Sequence, residues 1–112
     1  MATARRQLGQ ADFDSVGAGV TVYTVPGSTI AVIKSLDIAN LQNTPTGVFI
    51  HLVPNGGSAG IDNALMYGLQ VPAFGMASWT GAQILDTPGD FIYARCGADG
   101  HFCVSVSGVE ET

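Results

Sequence analysis

The chain has few charged residues. Lysine, arginine, aspartate and glutamate make up 12% of its 112 residues, while 46% are hydrophobic; a typical globular protein has about 25% charged residues. A domain this small exposes most of its residues, so its surface must be built largely from small polar and apolar side chains. We expect part of that surface to be buried against other subunits, because charge is depleted where proteins meet. The alternative is the neutral surface of a stable monomer.

Basic residues are scarcer still, and the net charge is −5. The four cations are Arg5, Arg6, Lys34 and Arg95. Nucleic acid is therefore not an expected partner, since phosphate binding needs clustered Lys and Arg. No apolar run approaches the roughly 20 residues of a membrane span. The Arg5-Arg6 pair has no apolar segment behind it, so we predict neither a secretory nor a twin-arginine signal, and folding in the cytoplasm of the producing cell.

Cysteine occurs only twice, at Cys96 and Cys103. A turn centred on Ala98 and Asp99 would place the two cysteines opposite each other across a hairpin, where they could reach disulfide distance. In a reducing cytoplasm, two free thiols acting as small hydrophobes are the simpler interpretation. Two sulfurs without a nearby His or further Cys do not predict a metal site.

Short runs of β-branched and aromatic residues dominate the rest of the chain, with Gly and Pro at the breaks. No segment sustains a 3.6-residue apolar period, so long helices are not expected. The strands are predicted at residues 20–25, 29–40, 47–53, 64–71, 76–80, 90–96 and 101–107. This pattern predicts an all-β fold, a single small β-sandwich or jelly roll of about seven to eight antiparallel strands. Residues 18–112 form that domain, and residues 1–17, polar and unpatterned, are predicted to be a flexible N-terminal arm.

The strand at 29–40 contains a break in its pattern. Ile30, Val32, Leu36 and Ile38 share one parity and are predicted to face the core, but Lys34 falls in the same row. A charge in the middle of an inward row indicates a bulge or an edge position. Elsewhere, large aromatic side chains predict core anchors at Trp79 and Phe91.

Residues 85–110 show the clearest strand pattern in the chain: two segments of alternating side chains separated by a glycine-bounded turn. They are predicted to pair as a closing hairpin whose inward row is Phe102, Val104 and Val106.

No motif for catalysis is present. The chain lacks a nucleophile elbow, and His51 and His101 lie within predicted strands, where a hydrogen-bonded surface role is expected. The acidic residues Asp62, Asp86 and Asp90 fit turn positions that cap backbone amides, as does Asp99. The glycine runs precede no helix and so predict no phosphate cradle. We therefore predict no catalytic residue, no cofactor, no metal ligand and no enzymatic activity.

Two segments of the chain contain recognisable short motifs. The first contains Tyr-Thr-Val-Pro at 23–26, followed by Ile-Lys-Ser at 33–35 and an asparagine at position 40. The second contains Gly-Asp at 89–90 and Val-Ser-Val-Ser-Gly-Val-Glu at 104–110. Together they resemble the small structural proteins of tailed-bacteriophage particles, and the likeness covers about residues 20 to 110.

This resemblance implies a capsid decoration (cement) protein. Such a protein would be a β-sandwich located on the capsid surface of the virion and made in the host bacterial cytoplasm. It would assemble as a homo-oligomer, a trimer by analogy, bind the major capsid protein and staple neighbouring capsomers, without nucleic acid or membrane as partners. The family provides no catalytic residues.

The expected contact residues come from the arm and one strand. Arg5 and Arg6 are expected to reach a neighbouring subunit or the capsid floor, and Phe49 and His51 to lie on a strand face covered by a neighbour. The alternative function is a head-spike or tail-associated module that binds a receptor or carbohydrate. In that case aromatic side chains would stack on sugar rings from one exposed face; the candidates are Trp79, Tyr67 and Tyr93.

Overall fold

A computed structural model describes residues 3–14, 19–97 and 101–112, with side-chain surroundings for 7–12, 19–97 and 101–112. The described residues form eight strands. They are β1 (Thr3–Asp14), β2 (Val20–Thr24), β3 (Ile30–Asn40), β4 (Thr46–Val53), β5 (Ala64–Val71), β6 (Met76–Leu85), β7 (Phe91–Cys96) and β8 (His101–Glu111). Within these ranges the helical content is a single 3-10 turn at Ile61–Asn63, as the absence of a helical apolar period predicted.

The strands form two four-stranded antiparallel sheets. The order is β1-β8-β3-β6 in the first sheet and β2-β7-β4-β5 in the second. Every connection except β4 to β5 carries the chain from one sheet to the other. Eight strands in two such sheets make a jelly roll, so the predicted fold class is confirmed.

The core lies between the two sheets. The row Phe102, Val104 and Val106 is fully buried on β8, as predicted. Trp79 is half-buried and packs against this core. Phe91 is different, because alternation on β7 places the neighbouring Ile92 inside and Phe91 on the outer face of the second sheet. The prediction that Phe91 anchors the core was therefore wrong.

A β-bulge at Lys34 divides β3 into two halves of opposite parity. Ile33 pairs with Gly108 of β8 and Ser35 with Ser107, so Lys34 is an extra residue without an opposite partner. The predicted bulge is confirmed, and it changes the inward row.

Before the bulge the inward residues of β3 are Ala31 and Ile33, not the predicted Ile30 and Val32. After it, Leu36 and Ile38 face the core as predicted. Ile30 is exposed because the extra residue Lys34 reverses the alternation of β3, so that the side chains before it point to the opposite face of the sheet from those expected.

The predicted closing hairpin is not formed. β7 belongs to the second sheet and β8 to the first, so the connection between them crosses the sandwich. Cys96 pairs with Val48, whereas Cys103 lies between its partners on β1 and β3. Both side chains are half-buried and neither cysteine is in a disulfide; the predicted turn at 98–99 lies outside the described residues. The alternation of apolar and polar side chains shows that each segment is a strand, but not whether two successive strands pair with each other or lie in different sheets.

The segment predicted to be an N-terminal arm contains a strand. β1 pairs with β8 along Thr3–Asp14 and forms one edge of the first sheet. Its Leu8 and Ala11 pack against the core. The structure thus extends the sandwich into residues that the sequence placed outside it. Side-chain pattern did not indicate this strand, because backbone pairing with β8 does not require strict apolar alternation.

Two glycines permit close backbone approaches, one within the first sheet and one between the two sheets. A Cβ on Gly108 would overlap the Val32 carbonyl beside the β3 bulge, and one on Gly9 would overlap the Val22 carbonyl of β2. Across the sandwich, the Tyr23 hydroxyl of β2 donates a 2.6 Å hydrogen bond to the Glu110 carboxylate of β8. This bond connects the two segments that carry the phage resemblance.

We expect Gly108→Ala to destabilise the fold by about 1–3 kcal/mol, because the added methyl group forces β3 and β8 apart. Gly27→Ala is the matched control, since a Cβ there meets nothing within 4 Å, and its effect should stay within about 0.5 kcal/mol. Chemical denaturation of both variants measures the difference. Equal stability of the two would contradict the packing described at Gly108.

Candidate functional site

The outer face of the second sheet carries aromatic side chains and one arginine. β4 and β7 pair without a register shift, placing Phe49 opposite Arg95 and His51 opposite Tyr93. Because the intervening residues of both strands point into the core, these four side chains point outward. Tyr67 of β5 is the partner of Phe49 on its other side. We call Phe49, Tyr67, Tyr93 and Arg95 the arginine–aromatic face.

Arg95 is held in place by the aromatic rings around it. Its guanidinium carbon lies 4.1 Å from the centroid of the Phe49 ring and 5.8 Å from that of Tyr67, and the two rings pack edge to face at 5.0 Å. Cation–π contacts of this kind stabilise the guanidinium without neutralising it. No carboxylate in the described part of the chain forms an ion pair with Arg95. Arg95 is thus a cation held by aromatic rings in a protein of net charge −5.

A pocket of about 470 Å³ opens beside Arg95. One wall is β7 and the other is the connection between β4 and β5, which folds over this face. The lining residues are Gly57, Ser58, Ala59, Phe91, Tyr93 and Arg95. Aromatic walls with one fixed cation suit a flat or apolar group that carries a negative charge.

His51 fastens this connection to the sheet. Its side chain is fully buried, and its Nδ1 lies 3.1 Å from both the Gly60 carbonyl oxygen and the Asn63 Oδ1. Because a carbonyl oxygen only accepts, Nδ1 carries the proton and donates. The other ring nitrogen, Nε2, has no hydrogen-bond partner among the described residues. His51 therefore supports the pocket wall from below and is not exposed on it.

Asp90 fixes the other end of the same connection. One carboxylate oxygen accepts the Asn55 N–H at 2.8 Å and the other accepts the Thr87 N–H at 3.2 Å. The preceding Gly89 has φ +94° and packs so closely on Asn55 that a Cβ would lie 2.6 Å from its side chain. Asp90 thus caps backbone amides at a turn, as predicted, and Gly89 permits the backbone conformation before it.

The residues predicted to contact a partner are not gathered in one place. Phe49 belongs to the arginine–aromatic face, and His51 lies buried beneath the adjoining connection. Arg5 and Arg6 lie on β1 opposite Val109 and Gly108, at an edge of the other sheet. Their side chains are outside the described surroundings, so their contacts stay predictions.

The role of Arg95 and its contact with Tyr67 were not predicted from the sequence. The alternation of residues 91–96 could have shown that Arg95 shares a face with Tyr93. Its position over Phe49 depends on the pairing of β4 with β7, and no local pattern indicates that pairing.

The described residues contain no cluster of three or more His, Cys, Asp or Glu side chains able to hold a metal ion. In the same part of the chain, no helix has both the length and the apolar character of a membrane span. What the site presents is a preorganised binding surface: a fixed cation, aromatic rings and a pocket.

No protein-family model and no curated protein sequence matches the chain. Among solved structures it is similar to a subunit of the Bacillus endospore appendages, described as disulfide-linked pili, with a TM-score of 0.58 and 16% identity over 98% of this chain and 88% of that one. It is also similar to the infectious bursal disease virus Gx strain structure (TM-score 0.49, 15% identity, 97% of this chain) and to the cyanophage Pam1 capsid asymmetric unit (0.44, 13%, 96% of this chain and 83% of that one).

The chain spans 32% of the length of the bursal disease virus chain. At these identities the comparison shows the fold, and the function has to be argued from the surfaces of this molecule.

We expect His51→Ala to release the β4–β5 connection, because Gly60 and Asn63 lose their shared partner. Stability should fall by about 1–3 kcal/mol, and residues 54–63 should be cleaved faster under limited proteolysis. His101→Ala is the control, since His101 is 38% exposed and lies 3.6 Å from an exposed Asp12; its effect should be about 0.5 kcal/mol or less. Unchanged cleavage in His51→Ala would contradict the fastening role.

Proposed function

We propose that the chain is a non-enzymatic structural protein of a bacteriophage particle, a decoration (cement) protein that binds the capsid exterior as an oligomer and stabilises contacts between capsomers. The observation that supports this most is the surface. Among the residues whose surroundings the structure describes, eight large apolar side chains are exposed, on a chain with only 12% charged residues: Ile30, Leu41, Ile61, Tyr67, Leu69, Phe74, Met76 and Ile84. A surface of this kind is typical of a protein that is covered by partners.

The arginine–aromatic face is the proposed contact with the major capsid protein. Tyrosine and arginine are enriched among the residues that dominate binding energy at protein interfaces. Arg95 is already oriented by Phe49 and Tyr67, so little side-chain entropy is lost when it binds. A capsid carboxylate seated beside Arg95 would find a positive group on an otherwise acidic protein.

Oligomerisation strengthens this contact. In a trimer, three copies of the arginine–aromatic face engage three capsid sites, and after the first contact the others form at a high effective concentration. Arg5 and Arg6 contribute from β1, whose outer edge has no strand partner among the described residues. We propose that they contact a neighbouring subunit or the capsid floor while β1 stays in its sheet.

Recognition of a carbohydrate receptor is the second candidate, and a specific observation favours it. Tyr67, which is 56% exposed, and Tyr93 lie on the same face of the second sheet, beside the pocket and Arg95. This arrangement suits a sugar ring that carries a carboxylate. Trp79 does not join them, because it lies on β6 of the first sheet and packs against the core.

Arg95→Ala should weaken binding to phage heads that lack this protein at least tenfold, because it removes the oriented cation at the centre of the contact. Lys34→Ala is the matched control, since it removes an exposed cation from the β3 bulge on the other sheet. Co-sedimentation with heads gives the affinities, and circular dichroism verifies folding. Head binding of Arg95→Ala equal to that of the wild type would contradict the proposed docking face.

Binding of the wild type, Arg95→Ala and Lys34→Ala to an array of acidic and neutral glycans distinguishes the decoration function from the receptor-binding function. A wild-type chain that binds acidic glycans through Arg95 but does not bind heads is a receptor module. A chain that binds heads and no glycan is a decoration protein.

Replacing both Arg5 and Arg6 with alanine should lower head binding or oligomer mass without unfolding the chain, since β1 pairs through its backbone. Light scattering gives the mass, and co-sedimentation gives the binding. If the double variant and the wild type behave alike in both assays, the proposed role of these two arginines is wrong.

A further inference from the structure

β6 is an edge strand with little of the usual protection. It pairs with β3 on one side only, so the backbone N–H and C=O groups along its other side have no strand partner in the described structure. Its ten residues, MASWTGAQIL, include no charged residue and no proline. Soluble proteins usually protect exposed edges with charges, prolines, bulges or short strands, because a bare edge pairs with another strand.

The other three edges of the sandwich carry such protection. β1 contains Arg5, Arg6 and Asp12 in its sequence and is bulged between Gln7 and Gly9. β2 is only five residues long. β5 has two register shifts against β4 and contains Gly68 at φ +76°. The register of β6 against β3 shifts once, between Gln83 and Thr80, at the position of the β3 bulge. The rest of the β6 edge carries none of these protections.

The outward-facing side chains of β6 are apolar at the two ends of the strand and include hydroxyl groups in its middle. Met76 pairs with Ala39, Thr80 with Ser35 and Ile84 with Val32, all on the face away from the core. Met76 is 64% and Ile84 65% exposed. The charges around the strand are Asp86, which follows Leu85 directly, and Lys34 and Asp37 on the neighbouring β3.

We propose that β6 pairs antiparallel with β6 of a second copy around a twofold axis at Thr80. In this register Met76 lies opposite Ile84 of the partner subunit at both ends, and the two copies of Thr80 face each other at the centre. Apolar pairs and paired hydroxyls are favourable cross-strand neighbours. The strand is thus complementary to itself, as a twofold interface requires.

The distribution of charge favours a second copy over another partner. Two copies of a chain with net charge −5 repel each other, so they can approach most closely where neither carries a charge. β6 is the longest uncharged strand of the sandwich, and its antiparallel pairing places no like charges opposite one another. The paired sheets would become one continuous eight-stranded sheet.

This contact is distinct from the proposed function. A twofold β6 contact joins two chains and cannot by itself close a threefold ring, so it would connect subunits of neighbouring oligomers. It uses the first sheet, whereas capsid docking is proposed for the second. The two proposals can therefore fail separately.

Disulfide trapping tests the register. In a chain carrying Cys96→Ala and Cys103→Ser, Thr80→Cys should form a covalent dimer on mild oxidation, because the two Cα atoms face each other within reach of a disulfide. Ser78→Cys, on the same face, is the matched control. Its two copies would be four residues apart along the strands, or about 13 Å, which is too far to bridge. Equal cross-linking of the two variants would overturn the proposed pairing.

Sedimentation equilibrium tests the contact without cysteines. Thr80→Lys places two cations opposite each other at the axis and should shift self-association at least tenfold towards the smaller species. Thr24→Lys, exposed on the β2 edge, should leave self-association unchanged. If Thr80→Lys sediments as the wild type does, the proposal is wrong. Head binding by Thr80→Lys, measured in parallel, shows independently whether the docking face works.

Discussion

The two sheets share one thin core, and each strand has only one face to bury in it. This constraint decides which residues of each strand point inward and which remain for contact. Where the chain inserts a residue, as at Lys34, the inward parity changes from Ile33 to Leu36. Gly108 allows the partner strand to follow that change at close range. The hydrophobic core therefore depends on a local backbone irregularity as much as on apolar composition.

Polar side chains connect the layers at a few points. Tyr23 and Glu110 join the sheets across the sandwich, and Asp90 joins two connections through backbone amides. Each of these groups is part-buried and hydrogen-bonded, so its burial does not leave an unmet polar group. His51 holds the β4–β5 connection through Nδ1, while its buried Nε2 has no partner among the described residues. These contacts hold the connections against the sheets, which gives the pocket beside Arg95 a fixed wall.

The outside of the molecule is divided between two different surfaces. The outer face of the second sheet gathers Arg95, Phe49 and Tyr67 into a cation held by aromatic rings. The edge of the first sheet at β6 presents an uncharged backbone and two exposed apolar side chains. The first surface suits recognition of an anionic partner, and the second suits pairing with a copy of itself. A chain with so few charges can present both without losing its fold.

Sequence patterns determined the fold class, the position of seven strands and the core row at Phe102, Val104 and Val106, because alternation and β-branched composition act locally along the chain. They also indicated the bulge at Lys34 and the Asp90 turn. The tertiary structure alone decided that β7 and β8 lie in different sheets, that β1 completes the first sheet, and that Arg95 lies over Phe49. Those features depend on which distant strands pair. Strands pair through backbone hydrogen bonds, which are the same for nearly every residue, so the order of side chains along the chain does not show which strands will be neighbours.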